Sequence, residues 1–388
     1  MSETRTIKTH KLFEGHEMPE IIKLLASMAT RKGFSFAFYR MPEQSEFRFL
    51  ASDSLPKVEK EDLELLDKGF LISSYEGDHY FLKQDLHYSS ETDNCNLKEL
   101  IDEAHTDIDL VWEPYIQLNS EQGTNKQDFV KNVIKCQDEI SNSELIKVVP
   151  SKTKRIKLDQ KSLSTVFVNL CEAYPTAFVS LTSSPALGTW VGATPESLIE
   201  VNKDGIFKTM SLAGTQPYNG SQPLHTLPWT QKEIEEQAMV SRYIINRFKE
   251  IRLREFIEVG PRTTSAGNMA HLCTIFSVDT VTTEFQNLGS VMLKILHPTS
   301  AVCGMPKLLA QELIHKIEKH ERRLFSGYLG PVNMEEGSYL YVNLRCMEMQ
   351  EGQAILYAGA GVTAYSIPED EWDETELKCN TLLDVIDQ

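Results

Sequence analysis

The chain has 388 residues, 41% of them hydrophobic, and a formal net charge of −17 at pH 7. Nucleic acids and anionic membranes bind basic surfaces, so this acidity argues against both as partners. The sequence has no apolar run of the roughly 18 residues that a membrane span needs, and its polar amino terminus lacks the apolar core of a signal peptide. We therefore expect a soluble, cytoplasmic protein.

The seven cysteines are scattered, odd in number and free of any Cys-x-x-Cys spacing. This pattern is typical of reduced, packed thiols and argues against a disulfide framework. The chain is longer than the common domain size of about 100–200 residues, yet it contains no Pro/Ser/Gly-rich linker and no internal repeat. We predict one large, compact α/β domain.

The amino-terminal part, residues 1–124, shows secondary-structure signals but no pattern that indicates chemistry. Periodicity predicts one helix and three strands there, at Met18–Lys32, Phe34–Arg40, Phe47–Ala51 and His79–Leu82. The polar, acidic stretch between Asp85 and Asp109 predicts a surface loop with a short helix at Leu97–Ala104.

Residues 125–388 begin with alternating helices and short strands. Helices are predicted at Asn125–Ile140, Asp159–Tyr174, Trp229–Ile251, Phe285–Leu296 and Pro306–Glu318. Strands are predicted at Glu144–Ser151, Phe178–Leu181, Gly188–Val191, Ser197–Val201 and Phe207–Leu212. The sequence Asn-Lys-Asp-Gly at 202–205 predicts a hairpin turn between the last two strands.

The carboxy-terminal stretch combines a predicted hairpin with a glycine loop. Apolar runs at Tyr339–Met349 and Gln353–Ala358 are separated by a short Gln-Glu-Gly turn, which predicts a β-hairpin. The loop Gly359-Ala360-Gly361 follows directly, before a charged helix that starts near Pro368. Such a strand, glycine turn and helix can hold an anion or a metal ion.

Two predicted helices each carry a pair of glutamates three residues apart. Glu233 and Glu236 lie in the helix Trp229–Ile251, and Glu371 and Glu374 lie in the last helix. Residues at i and i+3 share one helix face. Because Mg²⁺ prefers oxygen ligands and is commonly held by one or two carboxylates together with water, the four glutamates predict a magnesium site.

Nine sequence motifs occur in the order found in the chorismate-utilising enzymes, and the chain resembles the isochorismate synthases most. The motifs are KVVPSK (147–152), GATPESL (192–198), SLAGT (211–215), KEIEEQ (232–237), LHPTSAVCGMP (296–306), RLFSGYLG (323–330), VNLRC (342–346), YAGAGV (357–362) and EWDETELK (371–378). The resemblance covers residues 125–388, whereas residues 1–124 diverge from the family. It implies an α+β fold of large antiparallel sheets packed together and flanked by helices.

The resemblance also implies the reaction, which is the reversible, Mg²⁺-dependent conversion of chorismate to isochorismate by attack of water. The residue matching the family's general base is Lys147, and the one matching its general acid is Glu196. A lysine acts as a base only if its surroundings lower its pKa from about 10.4 towards neutrality. The resemblance implies that Glu236 and Glu374 bind Mg²⁺ directly and that Glu233 and Glu371 hold its waters. The matching substrate-binding residues are Gly214, Thr215, His271, Ala301, Arg345, Gly359, Gly361 and Lys378.

Several residues separate the proposed reaction from related ones. Ala213 stands where aminodeoxychorismate synthases resembling this chain carry a nucleophilic lysine, and Lys147 stands where anthranilate synthases typically carry glutamine. Both differences favour water over ammonia, so we expect no glutaminase subunit. Salicylate synthases, which go on to eliminate pyruvate, tend to carry polar residues at the positions of Ala301 and Val302.

Three further expectations complete the interpretation. An inactive chorismate-binding regulator is the non-enzymatic alternative, but the presence of both Lys147 and Glu196 argues against it. Gln237 and Gln216 depart from the histidine and arginine that are frequent at these positions in the family, and we expect them to tune the site. The protein is expected to act as a monomer in menaquinone or catecholate siderophore synthesis.

Overall fold

The computed structural model describes residues 13, 15–58, 63–91, 96–97, 112–118, 122–159, 162–267 and 269–386. The helix predicted at Leu97–Ala104 lies almost entirely outside these residues. Among the helices of the described residues, none combines the length and the apolar character that a membrane span requires.

The helices follow the predicted positions closely. They are α1 (Met18–Arg31), α2 (Lys126–Asn142), α3 (Leu163–Ala173), α4 (Gln231–Glu250), α5 (Leu288–Leu296), α6 (Lys307–Ile317) and α7 (Pro368–Ile386). Local capping explains where two of them begin. The side chain of Asn125 accepts a hydrogen bond from the backbone N–H of Asp128 at 2.9 Å, and Thr230 and Glu233 form a capping box before α4.

The strands are more numerous than the sequence predicted, and several of the predicted ones extend further. They are β1 (Ser35–Arg40), β2 (Phe47–Ser52), β3 (Lys57–Val58), β4 (Gly69–Ser73), β5 (His79–Lys83), β6 (Leu86–Ser89), β7 (Lys147–Val148), β8 (Ser151–Lys157), β9 (Phe178–Ser184), β10 (Gly188–Thr194), β11 (Ser197–Asn202), β12 (Ile206–Pro217), β13 (Ile257–Ala266), β14 (Met269–Asp279), β15 (Gly304–Met305), β16 (Tyr328–Val332), β17 (Gly337–Val342), β18 (Cys346–Gln350) and β19 (Gln353–Gly359).

These strands form two large antiparallel sheets and a small ladder. Across the described residues, one sheet has the order β6-β2-β1-β9-β10-β18-β19-β8, the second has the order β13-β14-β12-β11-β17-β16-β4-β5-β3, and β15 pairs with β7. Strand β1 lies between β2 and β9, and β4 pairs with β16, so residues before 125 contribute strands to both sheets. The predicted fold class is confirmed.

The two sheets pack face to face around an aromatic interior. Phe178 of the first sheet stacks on Tyr341 of the second, with ring centroids 4.2 Å apart, and Tyr39 packs on Phe70 in the same layer. Helices α1, α3 and α7 cover the outer face of the first sheet, and α4 and α5 cover that of the second. Glu236 in the amino-terminal half of α4 contacts Lys147 of the small β7–β15 ladder, and Trp372 near the start of α7 packs in the same hydrophobic cluster as Val148.

Two predicted strands are wrong in their extent. The apolar run Tyr339–Met349 is two strands, because the chain leaves the second sheet after Val342 and enters the first at Cys346. Periodicity cannot reveal a change of sheet, since both strands alternate normally. The predicted strand Glu144–Ser151 is likewise interrupted at Pro150, which has no N–H to donate to a ladder.

Candidate active site

One cavity lies where β7, β12, β14, β19 and helices α4 and α7 converge. Twelve predicted site residues line it, namely Lys147, Glu196, Gly214, Thr215, Glu236, His271, Ala301, Arg345, Gly359, Gly361, Glu374 and Lys378. The two remaining ones, Glu233 and Glu371, lie on α4 and α7 outside the lining. The fold therefore brings residues from distant parts of the sequence to one place.

Lys147 is buried in the wall of this cavity and paired with a carboxylate. The short β7–β15 ladder holds its backbone, its side chain is 1% exposed, and its Nζ donates to Glu236 Oε1 at 2.7 Å. Gly361 leaves room for the pair, because a Cβ at this position would lie 2.7 Å from Lys147 Cε and 2.8 Å from Glu236 Oε1. A side chain at position 361 would therefore displace the ends of Lys147 and Glu236.

Glu196 has the properties of a proton donor. It precedes β11, and its carbonyl oxygen accepts a hydrogen bond from the N–H of Val342 at 3.0 Å. Burial raises the pKa of its carboxyl group to about 7, although nearby Lys147, Lys378 and Arg345 oppose that shift. A carboxyl group with this pKa still carries a proton near neutral pH, as a general acid must.

Arg345 presents a buried positive charge to the cavity. It lies in the segment where the chain changes sheets, at a φ of +47°, and is 8% exposed. Among the described residues, its guanidinium contacts only neutral atoms, which are Met269 Sδ at 3.3 Å, Thr381 Oγ1 at 3.4 Å and the Lys378 carbonyl oxygen at 3.5 Å. Burial lowers its pKa to about 10. A buried guanidinium without a carboxylate partner indicates an anionic ligand.

His271 offers a hydrogen-bond acceptor. Burial lowers its pKa to about 3, so the ring is neutral, and its Nδ1 lies 3.0 Å from the carbonyl oxygen of Gly214. A carbonyl oxygen can only accept, so Nδ1 carries the proton and Nε2 presents a lone pair. Within the described residues, Nε2 has no hydrogen-bond partner. The register shift between Ala213 and Thr215 and the φ of +68° at Gly214 shape this strand around the histidine.

Each of the four predicted metal-site glutamates has a partner in the chain. Glu236 pairs with Lys147, Glu374 accepts from Lys378 Nζ at 2.5 Å, and Glu371 accepts from Lys232 Nζ at 2.9 Å. Glu233 completes the capping box of α4. Across the described residues, no three acidic, histidine or cysteine side chains are grouped as a metal site.

The electrostatics of this region nevertheless suit a hard divalent cation. Burial and the neighbouring charge of Glu374 raise the pKa of Glu371, and its Oε2 is a buried atom without a hydrogen-bond partner in the described part of the chain. Burial lowers the pKa of Lys232, but Glu371, Glu374 and Glu236 together raise it. The carboxylates of Glu236, Glu371 and Glu374, which come from two helices, thus all act on the same lysine. Carboxylate oxygens of this kind fit Mg²⁺.

The sequence did not identify some residues that shape the cavity. Arg322 donates to the carbonyl oxygens of Val149 at 2.6 Å and of Val302 at 2.8 Å, so it ties the β7–β8 link to the loop at 297–303. Ser326 also lines the cavity. Ser326 belongs to the motif RLFSGYLG (323–330), and Arg322 directly precedes it, but the sequence does not show which of these side chains face the site.

A family model described as "Chorismate binding enzyme" matches residues 69–387 of the chain. The chain belongs to the chorismate-binding enzyme family. The resemblance inferred from the nine motifs is confirmed, and the match includes every candidate site residue named above.

Relatives in this family carry out more than one reaction. Isochorismate synthase EntC of Escherichia coli (strain K12) is 30% identical over 204 residues, covering 51% of this chain and 51% of that protein. Anthranilate synthase component 1 of Acetivibrio thermocellus is 24% identical over 370 residues, covering 87% of this chain and 72% of that protein. The match with EntC thus spans about half the length of each protein.

A solved structure shows the same fold. The menaquinone-specific isochorismate synthase MenF of Escherichia coli superposes with a TM-score of 0.73 at 18% identity, over 93% of this chain and 91% of that chain. The antiparallel sheets and their flanking helices are therefore those of a chorismate-binding enzyme.

Proposed function

We propose that the protein is an isochorismate synthase, which converts chorismate reversibly to isochorismate by adding water at C2 and removing the hydroxyl group at C4. The observation that carries this proposal is a buried lysine, Lys147, lining the same cavity as Glu196, whose carboxyl group has its pKa raised to about 7. A potential base and a protonated acid facing one cavity suit a reaction that adds water and loses water.

The charges in the cavity suit a dicarboxylate substrate. Arg345 has no carboxylate partner among the described residues, and the cationic side chains of Lys147, Arg322 and Lys378 also line the cavity. With a net charge of −17, the protein needs such a local concentration of positive charge to bind chorismate. The guanidinium of Arg345 can accept a carboxylate in a bidentate arrangement.

In the proposed reaction, Lys147 takes a proton from the water that attacks C2. The ring double bonds shift, and Glu196 gives its proton to the C4 hydroxyl group, which leaves as water. Water is therefore both consumed and released, and no electron acceptor is needed. His271 Nε2 can accept a hydrogen bond from a hydroxyl group of the substrate, because the ring is neutral.

Glu236 and Glu374 would hold Mg²⁺ directly, with Glu233 and Glu371 holding its waters, and the ion would supply positive charge to the ring carboxylate of chorismate. In this structure Lys147 pairs with Glu236, and Lys378 pairs with Glu374. Glu236 and Glu374 would therefore exchange these ammonium groups for the cation.

Water is favoured over ammonia as the nucleophile by two residues of the lining. Ala213 cannot act as the nucleophile that a lysine provides there in aminodeoxychorismate synthases, and Lys147 occupies the position of the glutamine typical of anthranilate synthases. We accordingly propose a monomeric enzyme without a glutaminase subunit. The similarity to anthranilate synthase component 1 makes this distinction the first one to test.

Incubation of the purified protein with chorismate and Mg²⁺, with and without ammonium, tests the proposal. We expect chromatography to show isochorismate approaching a fixed ratio with chorismate, independently of ammonium, and we expect isochorismate as substrate to reach the same ratio. Chorismate that remains unchanged, or an amino product that needs ammonium, would contradict the proposed function.

A further inference from the structure

Ser326 is a buried serine of the cavity lining whose hydroxyl group has no partner. It is 1% exposed, and within the described residues its Oγ forms no hydrogen bond. Buried hydroxyl groups are normally hydrogen-bonded, because an unsatisfied one loses its contacts with water without compensation. An unpaired hydroxyl group that faces a binding cavity indicates a group supplied by the ligand.

The backbone of Ser326 is strained as well. Its φ is +60°, in the left-handed region that side chains other than glycine and asparagine rarely adopt. A glycine would take this conformation freely, so the turn itself does not call for a serine. Backbone strain that persists at a cavity wall is typical of residues with a binding role.

The neighbouring residues fix the turn tightly. The N–H of Ser326 donates to the carbonyl oxygen of Asn343 at 2.9 Å, and the N–H of Asn343 donates to that of Gly327 at 2.9 Å. Gly327 must lack a side chain, since a Cβ there would lie 2.0 Å from the carbonyl oxygen of Ser73. The backbone position of Ser326 at the cavity wall is therefore fixed.

Backbone contacts connect the turn that contains Ser326 with two other parts of the site. Asn343 begins the segment that leads to Arg345, and Arg322, in the same turn as Ser326, donates to the carbonyl oxygen of Val302. Ser326, Arg345, Ala301 and Val302 all line the same cavity. A hydroxyl group can donate to a carboxylate or ether oxygen, whereas neutral His271 offers only an acceptor at Nε2.

We propose that Ser326 is a substrate-binding residue whose hydroxyl group donates a hydrogen bond to an oxygen of the enolpyruvyl arm of chorismate, beside Arg345. This inference rests on the proposed function, because it assumes a substrate with an anionic side arm. It adds to the site a specificity-determining donor that the sequence motifs did not assign.

Two variants separate binding from structure. Ser326→Ala removes the hydroxyl group and keeps the strained backbone, while Ser326→Gly removes the hydroxyl group and relieves the strain. We expect KM for chorismate to rise about tenfold in both, with kcat within about twofold of the wild type. The unfolding temperature of Ser326→Gly should equal or exceed that of the wild type.

Ser197→Ala is the matched control, because Ser197 is also buried with an Oγ that has no partner in the described residues but lies outside the cavity lining. The KM of Ser197→Ala for chorismate should equal that of the wild type.

If the wild type converts chorismate while both Ser326 variants keep the wild-type KM, the Ser326 assignment alone is wrong. If the wild type leaves chorismate unchanged, the proposed function is wrong, and calorimetric titration of the same proteins with chorismate then tests Ser326 directly. Equal dissociation constants for the wild type and both variants would refute the assignment.

Discussion

Lys147 Nζ and Glu236 Oε1 lie 2.7 Å apart and share the space left by the missing side chain of Gly361. The proposed base and a proposed metal ligand thus satisfy each other inside the protein. Breaking such a pair by removing one member leaves a buried charge uncompensated. The glycine is consequently as important to the geometry of the cavity as the two charged residues.

Gly361→Ala should reduce activity without unfolding the protein. The new methyl group would meet the flexible end of Lys147 and the carboxylate of Glu236, which can move aside but then lose their pairing. We expect kcat to fall by about tenfold or more. A well-placed acid–base group usually raises the rate about 10²–10⁴-fold, and a displaced group loses part of that effect. The unfolding temperature should change little. Wild-type kcat in this variant would show that the close packing around Gly361 is not needed for turnover.

Glu196→Gln should remove the general acid while preserving the shape of the side chain. We expect kcat to fall by about 10²-fold or more, with chorismate still bound. In the wild type, kcat should decline as the pH rises through about 7, because the raised pKa of Glu196 means that its proton is lost there. A variant that keeps the rate of the wild type would remove Glu196 from the mechanism.

The same substitution should change how stability depends on pH. Burial raises the pKa of Glu196 to about 7, so the folded protein holds a proton that the unfolded chain releases at lower pH. The stability from this group is complete below the ordinary glutamate pKa of about 4.3 and is lost as the pH rises through the folded value. Denaturant titrations between these limits should show a larger decline for the wild type than for Glu196→Gln. Parallel curves would contradict the raised pKa.

Part of the site could be predicted from the sequence, because helical spacing is a local property. The pairs Glu233–Glu236 and Glu371–Glu374 fall on α4 and α7 as predicted. Their partners could not be predicted. The contact of Lys232 with Glu371 spans 139 positions and depends on how two helices pack. Such contacts are set by the tertiary fold, which periodicity does not describe.

The chain segment at 343–345 could not be predicted for a related reason. Cys346 and Val342 continue one alternating apolar pattern, yet they belong to different sheets. The family motif identified Arg345 as a substrate-binding candidate, but only the structure shows that its φ is positive and its guanidinium lacks a carboxylate partner in the described residues. The positive φ of Ser326 could not be predicted either, because serine is common in turns of many backbone conformations.

Glu374→Ala should abolish the response to Mg²⁺. Glu374 lines the cavity, whereas its neighbour Asp373 points to the surface, is 69% exposed and lies 3.7 Å from Lys126. We expect Asp373→Ala to keep wild-type activity and Glu374→Ala to lose turnover and calorimetric Mg²⁺ binding, while both retain the far-UV circular dichroism spectrum of the wild type. Equal Mg²⁺ titration curves for Glu374→Ala and the wild type, with EDTA controls, would refute the assigned metal site.

Glu376→Ala should destabilise the protein more than its exposure suggests. The Lys152 side chain is 1% exposed, its Nζ lies 3.4 Å from the centroid of the Trp372 ring, and it donates to Glu376. Removing Glu376 leaves the buried ammonium group of Lys152 without this carboxylate partner. We expect the free energy of unfolding to fall by about 2 kcal/mol.

A second substitution should recover much of that loss. Lys152→Met in the Glu376→Ala background removes the stranded charge and fills the same space with an apolar side chain. Lys154, a second partner of Glu376, has a side chain that is 33% exposed, so Lys154→Met should cost less than about 1 kcal/mol. Urea denaturation of these variants forms a double-mutant cycle. If adding Lys152→Met lowers the free energy of unfolding of Glu376→Ala further, the unpaired ammonium group is not the cause of the destabilisation.

Ala301→Thr should increase the amount of salicylate relative to isochorismate. Salicylate forms when isochorismate stays bound and its enolpyruvyl group leaves as pyruvate, taking the hydrogen from C2. That elimination depends on how the cavity orients the enolpyruvyl arm.

Ala301 and Val302 both line the cavity, and their side chains offer the arm no hydrogen-bond donor. We therefore expect the wild type to release isochorismate with little salicylate at neutral pH, and a threonine at 301 to hold the arm longer in a reactive orientation. Val302→Ala is the control, since it changes the volume of the same loop without adding a donor. The measurement is chromatography of a chorismate–Mg²⁺ reaction over time. Wild-type protein that accumulates salicylate and pyruvate in equal amounts, with isochorismate only transient, would instead be a salicylate synthase.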